Sequence, residues 1–473
     1  MVNIMAIMIS QTEYYIISAI LALSVMFGLF LMSKVENAKL GNAISATAVL
    51  IGVIVSLVKY DILPIWIVYV CLAIGVIFGI ILAIKIKMIQ MPQLIALLNG
   101  LGGLSSLIVG GYALFGIGTD QKIFSDVAAM FAIVIGGLTF MGSMIAAGKL
   151  HRVIKQKPTI YKMHQQILAI LVVMMAVVMV LRFAVDFNLT LSLLLFVVLS
   201  FAFGVLFAIR IGGADMPIVI SLLNSLSGVA AAISGLAIGD VLLVSIGGIV
   251  GASGLLLTQI MCRAMNRHLF EILSGKTTTK IIIDKEKDEP SELSEEIVQE
   301  NKDFIEIVKT AKEIIIVPGY GMAVAQAQHI LKQVSDTLKK QGSNVRFAIH
   351  PVAGRMPGHM NVLLAEADVD YDELFEMDDL NNEFKNVDLA IVVGANDVLN
   401  PAARQAEGTP IYGMPILNVD QTKNIFIFNY DLKPGYSGVP NPLYQRKNGV
   451  YLYLGNAHET LQNFLAEIQS IES

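Results

Sequence analysis

Apolar residues run almost without interruption from residue 14 to residue 262, then give way to short alternating apolar and polar stretches from 301 to 473. A helix that crosses a bilayer needs about 20 mostly apolar residues, each adding about 1.5 Å of rise. The first region holds nine such stretches, near 14–33, 42–58, 63–84, 94–117, 125–148, 167–185, 189–209, 218–238 and 240–262. An odd number of spans predicts chain ends on opposite sides. In the second region the pattern predicts strands at 314–317, 345–349, 388–393, 425–429 and 450–454, with helices at 321–340, 360–366 and 457–471. Such alternation predicts a parallel sheet covered by helices. The expected fold is therefore a polytopic α-helical membrane domain of about nine spans (1–265), a flexible linker (266–300) and an α/β Rossmann-like domain (301–473). Charged and Thr/Ser-rich residues from Gly275 to Asn301 mark the tether, and Glu295 to Lys312 predicts a short helix before the first strand.

Composition sharpens the assignment. Hydrophobic residues make up 55% of the 473, too many for an ordinary soluble chain, and a net charge of −5 gives no basis for nucleic-acid binding. One set of inter-span loops carries Lys34, Lys39, Lys85, Lys87, Lys149, Arg152, Lys155, Lys157, Lys162, Arg210, Arg263 and Arg267. The opposite set carries Lys59 and Lys122, with Arg182 near a helix end. Basic residues favour the cytoplasmic side, so a bias of twelve to three predicts an outside N-terminus and a cytoplasmic C-terminal domain in a plasma (inner) membrane. Met1 to Ser10 lacks a basic n-region, so no cleavable signal peptide is expected. Cys71 and Cys262 form no metal-ligand spacing or disulfide framework and read as small buried hydrophobes. His151, His164 and His268 read as solvated loop groups.

The spanning region contains a repeat. Residues 78–103 align without gaps on 203–228, with 13 identities in 26 positions. Met91-Pro92 matches Met216-Pro217, Leu97-Leu98-Asn99 matches Leu222-Leu223-Asn224, and Gly103 matches Gly228. The offset covers four helices, so both copies point the same way, a parallel duplication of transporter type. It places Asn99 and Asn224 inside helices, where an amide must find a partner or water. Small polar neighbours such as Ser105 and Ser225 permit either close packing or a hydroxyl-lined water file. Asp215 is the nearest acid, just before the second Met-Pro.

In the soluble region, Ile314 to Pro318 feeds Gly319-Tyr320-Gly321 and then a helical pattern. A strand–glycine turn–helix is the arrangement that lets backbone approach a pyrophosphate. The third fingerprint position is Val324 rather than glycine. The second strand ends in Ile349-His350-Pro351 and then Arg355 instead of an acid, which suits a 2′-phosphate and hence NADP(H). Three Gly/Pro/Asn-rich loops, Arg355-Met356-Pro357 to Asn361, Gly394-Ala395-Asn396-Asp397 to Asn400-Pro401 and Gly435-Tyr436-Ser437 to Asn441-Pro442, follow strands where ligands bind. No nucleophilic constellation is present, and hydride transfer requires none because the coenzyme carries the chemistry. The same architecture also fits a transporter or channel gated by a nucleotide-sensing domain, although no Thr-Val-Gly-Tyr-Gly filter occurs.

At these motifs the chain resembles the beta subunit of proton-translocating NAD(P)+ transhydrogenase. The resemblance runs along the whole chain and rests on Val317 to Gln328, His350 to Ala367, Gly394 to Ala403, Gly435 to Pro442, Gly212 to Pro217 and Leu223-Asn224-Ser225. It implies a Re/Si-specific enzyme in which hydride passes from NADH, held on a partner alpha subunit, to NADP+ on this chain, driven by inward proton flow. It implies a dimer of alpha-beta units embedded in membrane lipid. Gly319, Tyr320, Gly321, Ala323 and Val324 would meet the pyrophosphate, Asp397 would lie near the nicotinamide, and the loop around Tyr436 would act as a lid. Asn99 stands where some members carry a histidine of the proton path, and Asn224 and Asp215 match other path positions. Where the family has Lys-Arg-Ser against the 2′-phosphate, this chain has Asn429, Tyr430 and Asp431, leaving Arg355 and Lys433 as the bases and NAD(H) as the competing nucleotide.

Overall fold

Ser10 and Glu13 start the first helix with a reciprocal capping box. The Ser10 hydroxyl accepts from the Glu13 N–H at 3.2 Å, and the Glu13 carboxylate accepts from the Ser10 N–H at 2.7 Å. This computed structural model describes residues 9–470 apart from 34–36, 63, 87–89, 117–121, 152, 156–157, 186–187, 214, 266–267, 275–301, 355–357, 410, 436 and 447. The chain divides into two compact units, Met1–Thr258 and Gln259–Ser473.

Among the described residues, nine helices are long and apolar enough to cross a bilayer. They are α1 (Gln11–Met32), α2 (Ala38–Lys59), α3 (Trp66–Lys85), α4 (Met91–Leu114), α5 (Lys122–Leu150), α6 (His164–Ala184), α7 (Leu189–Ile209), α8 (Met216–Ile238) and α9 (Val241–Ala264). Each matches one apolar stretch of the sequence. Pro92 and Pro217 sit in the first turns of α4 and α8, where a missing N–H costs nothing. The repeat is visible in the packing. A methyl group added at Gly103 would lie 2.7 Å from the Gly136 carbonyl oxygen of α5, and one at Gly228 would lie 2.4 Å from the Gly251 nitrogen of α9. Repeat-related glycines thus let repeat-related helices touch backbone to backbone. Helix α3 buries no residue within this chain.

Three sequence expectations change. Cys71 lies exposed on α3, whereas Cys262 is buried, because a helix unpacked within its own chain leaves even small apolar side chains uncovered. His164 is buried, with ring Nε2 2.9 Å from the Leu206 carbonyl, while His151 and His268 are exposed. Lys149 belongs to the last turn of α5 rather than to a loop. It is fully buried, its ammonium donating to the carbonyls of Ile209 and, at 2.7 Å, Ile211. Both groups find the uncapped carbonyls at the C-terminal end of α7, which attract donors and cations.

Beyond α9 come α10 (Leu269–Ser274), α11 (Lys302–Thr310), β1 (Glu313–Pro318), α12 (Tyr320–Ala325), α13 (Gln328–Lys340) and β2 (Asn344–Ile349). They are followed by α14 (His359–Glu366), β3 (Leu374–Glu376), α15 (Met377–Leu380), β4 (Leu389–Val393), β5 (Asn424–Asn429), β6 (Val450–Leu454) and α16 (Ala457–Gln469). The strands form one all-parallel sheet in the order β3-β2-β1-β4-β5-β6. Strands β1 and β4 are apolar and buried nearly throughout, as helices on both faces require. The helix expected over 321–340 is broken, because Gln326 adopts a left-handed conformation at φ 52°. Strand β3, absent from the sequence expectation, is a three-residue edge. The expected tether at 266–300 lies mostly outside the described residues.

Candidate functional sites

The strand order reverses between β1 and β4, and ligands of doubly wound sheets sit outside the carboxyl ends at such a switch. Here the two loops are threaded through one another. The Gly319 N–H donates to the Val393 carbonyl at 2.8 Å, and the Gly321 N–H donates to the Gly394 carbonyl at 2.8 Å. Gly394 has φ +67°, and a methyl group there would lie 2.2 Å from the Met322 nitrogen. Only glycine satisfies both the left-handed backbone and that contact. The glycines of the turn therefore serve first to bring two backbones together. Ala323 is buried, and Val324 is 51% exposed. The third fingerprint glycine normally permits close helix–strand packing, and a side chain that points outward does not require it.

The loops after β4 and β5 are fastened by side chains. Asp397 accepts from the Ser437 N–H at 2.9 Å and from the Ser437 hydroxyl at 2.7 Å. Gly435 passes directly over this carboxylate, where a methyl group would lie 2.6 Å from Asp397 Oδ2. Asn396 donates to the Lys433 carbonyl at 3.0 Å, and Asn429 donates to the Ala395 carbonyl at 3.0 Å and to the Tyr444 hydroxyl at 2.9 Å. The structure so gathers Gly319, Gly321, Gly394, Asn396, Asp397, Asn429 and Gly435 at one edge. Tyr320 is half-buried, its ring 6.4 Å from that of His359. Tyr430 is 80% exposed and stands apart. The Lys433 ammonium is 3.9 Å from Asp431 on the open surface, a pairing that stabilises little. Arg355, Met356, Pro357 and Tyr436 lie outside the described residues.

Sequence reasoning placed Ser437, Asn400 and Asn441 in the expected ligand loops but did not find that they bond these loops together. The signal was a repeated Asn-Pro dipeptide. Asn400 and Asn441 each accept, at 3.0 Å, from the N–H two residues on and so cap a 3-10 turn that begins with proline. Asn400 also donates to the Val439 and Pro440 carbonyls, tying the two loops again.

Between the spans, the repeat's asparagines converge. The Asn99 amide of α4 donates to the Ile220 carbonyl of α8 at 3.3 Å. In a helix that carbonyl also receives the N–H four residues on, which is that of Asn224. Asn99 is buried and Asn224 half-buried. Ser225 donates to the Gly251 carbonyl of α9 at 2.6 Å, and Thr258 bonds Ser221 at 3.0 Å. Asp215 precedes α8 and is buried. Ser105 lies on an exposed face with its hydroxyl bonded to Leu101 within the same helix, so it is not brought to this group.

A bundle of spans joined to a doubly wound sheet with crossed glycine loops defines a membrane protein carrying a dinucleotide-type domain. The family model for the NAD(P) transhydrogenase beta subunit matches residues 12–467. The chain is 40% identical over 446 residues to NAD(P) transhydrogenase subunit beta of Rhodospirillum rubrum, covering 93% of this chain and 95% of the relative. A counterpart from a named strain of that organism matches to the same extent. The chain belongs to the NAD(P) transhydrogenase beta subunit family.

Proposed function

We propose that this chain binds NADP(H) in residues 301–473 and receives hydride from NADH held on an alpha subunit, coupled to inward proton translocation through residues 1–265. The tether at 266–300 would allow the two parts to change state together. The observation that carries the reading is the threading of the glycine loops after β1 and β4 at the sheet's switch point, in a chain that also brings Asn99 onto the helical turn of Asn224. The loop set suits a dinucleotide: Asp397 spends its charge on two donors from Ser437, so this acid does not face the glycine turn uncompensated. At the end of β5, Asn429 is committed to internal bonds and Asp431 offsets Lys433. The 2′-phosphate therefore falls to Arg355, with Lys433 second. The bound coenzyme supplies the hydride chemistry, and the protein orients it and excludes water. The C-terminal domain would face the cytoplasm of a bacterial plasma membrane, in a dimer of alpha-beta units. The deciding experiment reconstitutes the chain with its alpha subunit in sealed vesicles and follows hydride transfer to NADP+ under an imposed pH gradient. Acceleration by inward proton flow is expected. Indifference to the gradient removes the pump, and preference for NAD+ over NADP+ removes the nucleotide assignment.

A further inference from the structure

Three carboxylates of the spanning unit are buried among its described residues: Asp126, Asp215 and Asp240. Two of them bracket α8, with Asp215 immediately before it and Asp240 one residue past its Gly239 cap. A helix of 23 residues separates them by about 35 Å, roughly the thickness of the hydrocarbon core. Between them the helix presents Ser221, Asn224, Ser225, Ser227 and Ser234, with Asn99 bonded across.

The Asp240 carboxylate is held on two sides. Its Oδ1 accepts from the Tyr14 hydroxyl of α1 at 3.0 Å and from the Leu243 N–H of α9 at 2.9 Å. Tyr14 is itself buried. From α2, Tyr60 stands beside the same carboxylate, while the Lys59 ammonium lies 5.8 Å from the Tyr14 ring centre and donates to the Ile9 carbonyl. From α5, Ser125 donates to the Ala237 carbonyl at 2.6 Å, which places neighbouring Asp126 at the same end of α8. The helix-capping task explains little of this choice. Asparagine and serine cap a helix as well as aspartate does, and an amide carbonyl would accept the Tyr14 hydroxyl equally. Neither would carry the cost of burying an ionisable group at the end of a spanning helix. Such groups mark routes for ions and protons.

We propose that Asp240 is the proton-exchanging carboxyl at the mouth of the path opposite Asp215, on the face where α1 begins. It rests on the proton-translocating reading above. A proton from water on that face bonds to the carboxylate and later leaves to water on the asparagine side. No electrons move, and the Tyr14 hydroxyl donates to the carboxyl group in both states, holding its orientation.

The test uses the complete complex with its alpha subunit in sealed vesicles. Asp240→Asn keeps the bonds that Oδ1 accepts from Tyr14 and Leu243 and removes ionisation. The variant complex is expected to assemble and to lose about tenfold or more of the gradient-driven acceleration of hydride transfer. Tyr14→Phe is expected to keep the acceleration but displace the midpoint of its dependence on pH at that face. Gradient response in Asp240→Asn equal to wild type overturns the assignment. Failure of Asp240→Asn to assemble overturns it too, because the charge would then be structural. A wild-type complex blind to the gradient instead removes the underlying coupling and is recognised before any variant is made.

Discussion

His350 shows how one side chain ties local chemistry to stability. Its Nδ1 accepts from the Val352 N–H at 3.2 Å, so Nε2 carries the hydrogen and donates to the Pro415 carbonyl at 2.8 Å. Burial pushes the imidazole down to about 4, against a smaller opposing effect of the Pro415 bond. The unfolded residue titrates near 6.5. Between these values the unfolded chain binds a proton that the folded chain refuses. The contribution is therefore complete above about pH 6.5 and is lost as pH falls toward about 4, a change on the order of 3 kcal/mol. Hydrogen exchange of the β2 and β4 amides in the full chain is expected to accelerate over that window, and to do so less in His350→Gln. Arg355 sets a second expectation. Replacing it with methionine removes a charge-assisted contact of about 1.5–3 kcal/mol, so NADP(H) affinity should fall roughly 10–100-fold. NAD(H) affinity should hardly move; an equal loss of both would separate Arg355 from the 2′-phosphate.

At the scale of elements, glycine position decides tolerance. Gly228→Ala places a methyl group 2.4 Å from the Gly251 nitrogen, backbone that cannot yield, and is expected to cost about 1–3 kcal/mol. Gly79, its surroundings open to 4 Å on α3, is the internal control. Gly79→Ala is expected to leave the chain as stable or to gain up to about 1 kcal/mol through helix propensity. Thermal unfolding in detergent compares the two, and equal effects would refute the packing account. The nine spans were legible because lipid demands long apolar runs, and β1, β4 and β5 because two-sided burial demands short ones. Strand β3 escaped because three residues on an edge, two half-buried and one exposed, carry no pattern. The break at Gln326 escaped because a left-handed non-glycine residue is set by its surroundings. The glycine loops were legible as turns after strands but not as partners of one another, since nothing in a linear motif reports that Gly321 donates to Gly394. Lys149 was misplaced because counting bases by loop assumes that each is solvated, whereas a helix C-terminus can hold one in full burial.

For the whole molecule, coupling between two sites is reciprocal by necessity. If protonation of the spanning unit changes the affinity for NADP(H) by some factor, bound NADP(H) must change the proton affinity of that unit by the same factor. Equilibrium titration of nucleotide binding at several pH values, paired with proton release on nucleotide binding, measures both sides. A nucleotide affinity independent of pH, with no proton release on binding, would mean that the two parts do not share one pair of states.

The crossed loops at the head of the sheet carry a mechanical corollary. Gly321 and Gly394 meet through main-chain atoms alone, with no flexible side chain between them to absorb movement. A displacement of the first turn would be handed on to the stretch that carries Asp397 and through it to Ser437. The two turns would then move as a single body, not as two pieces in sequence.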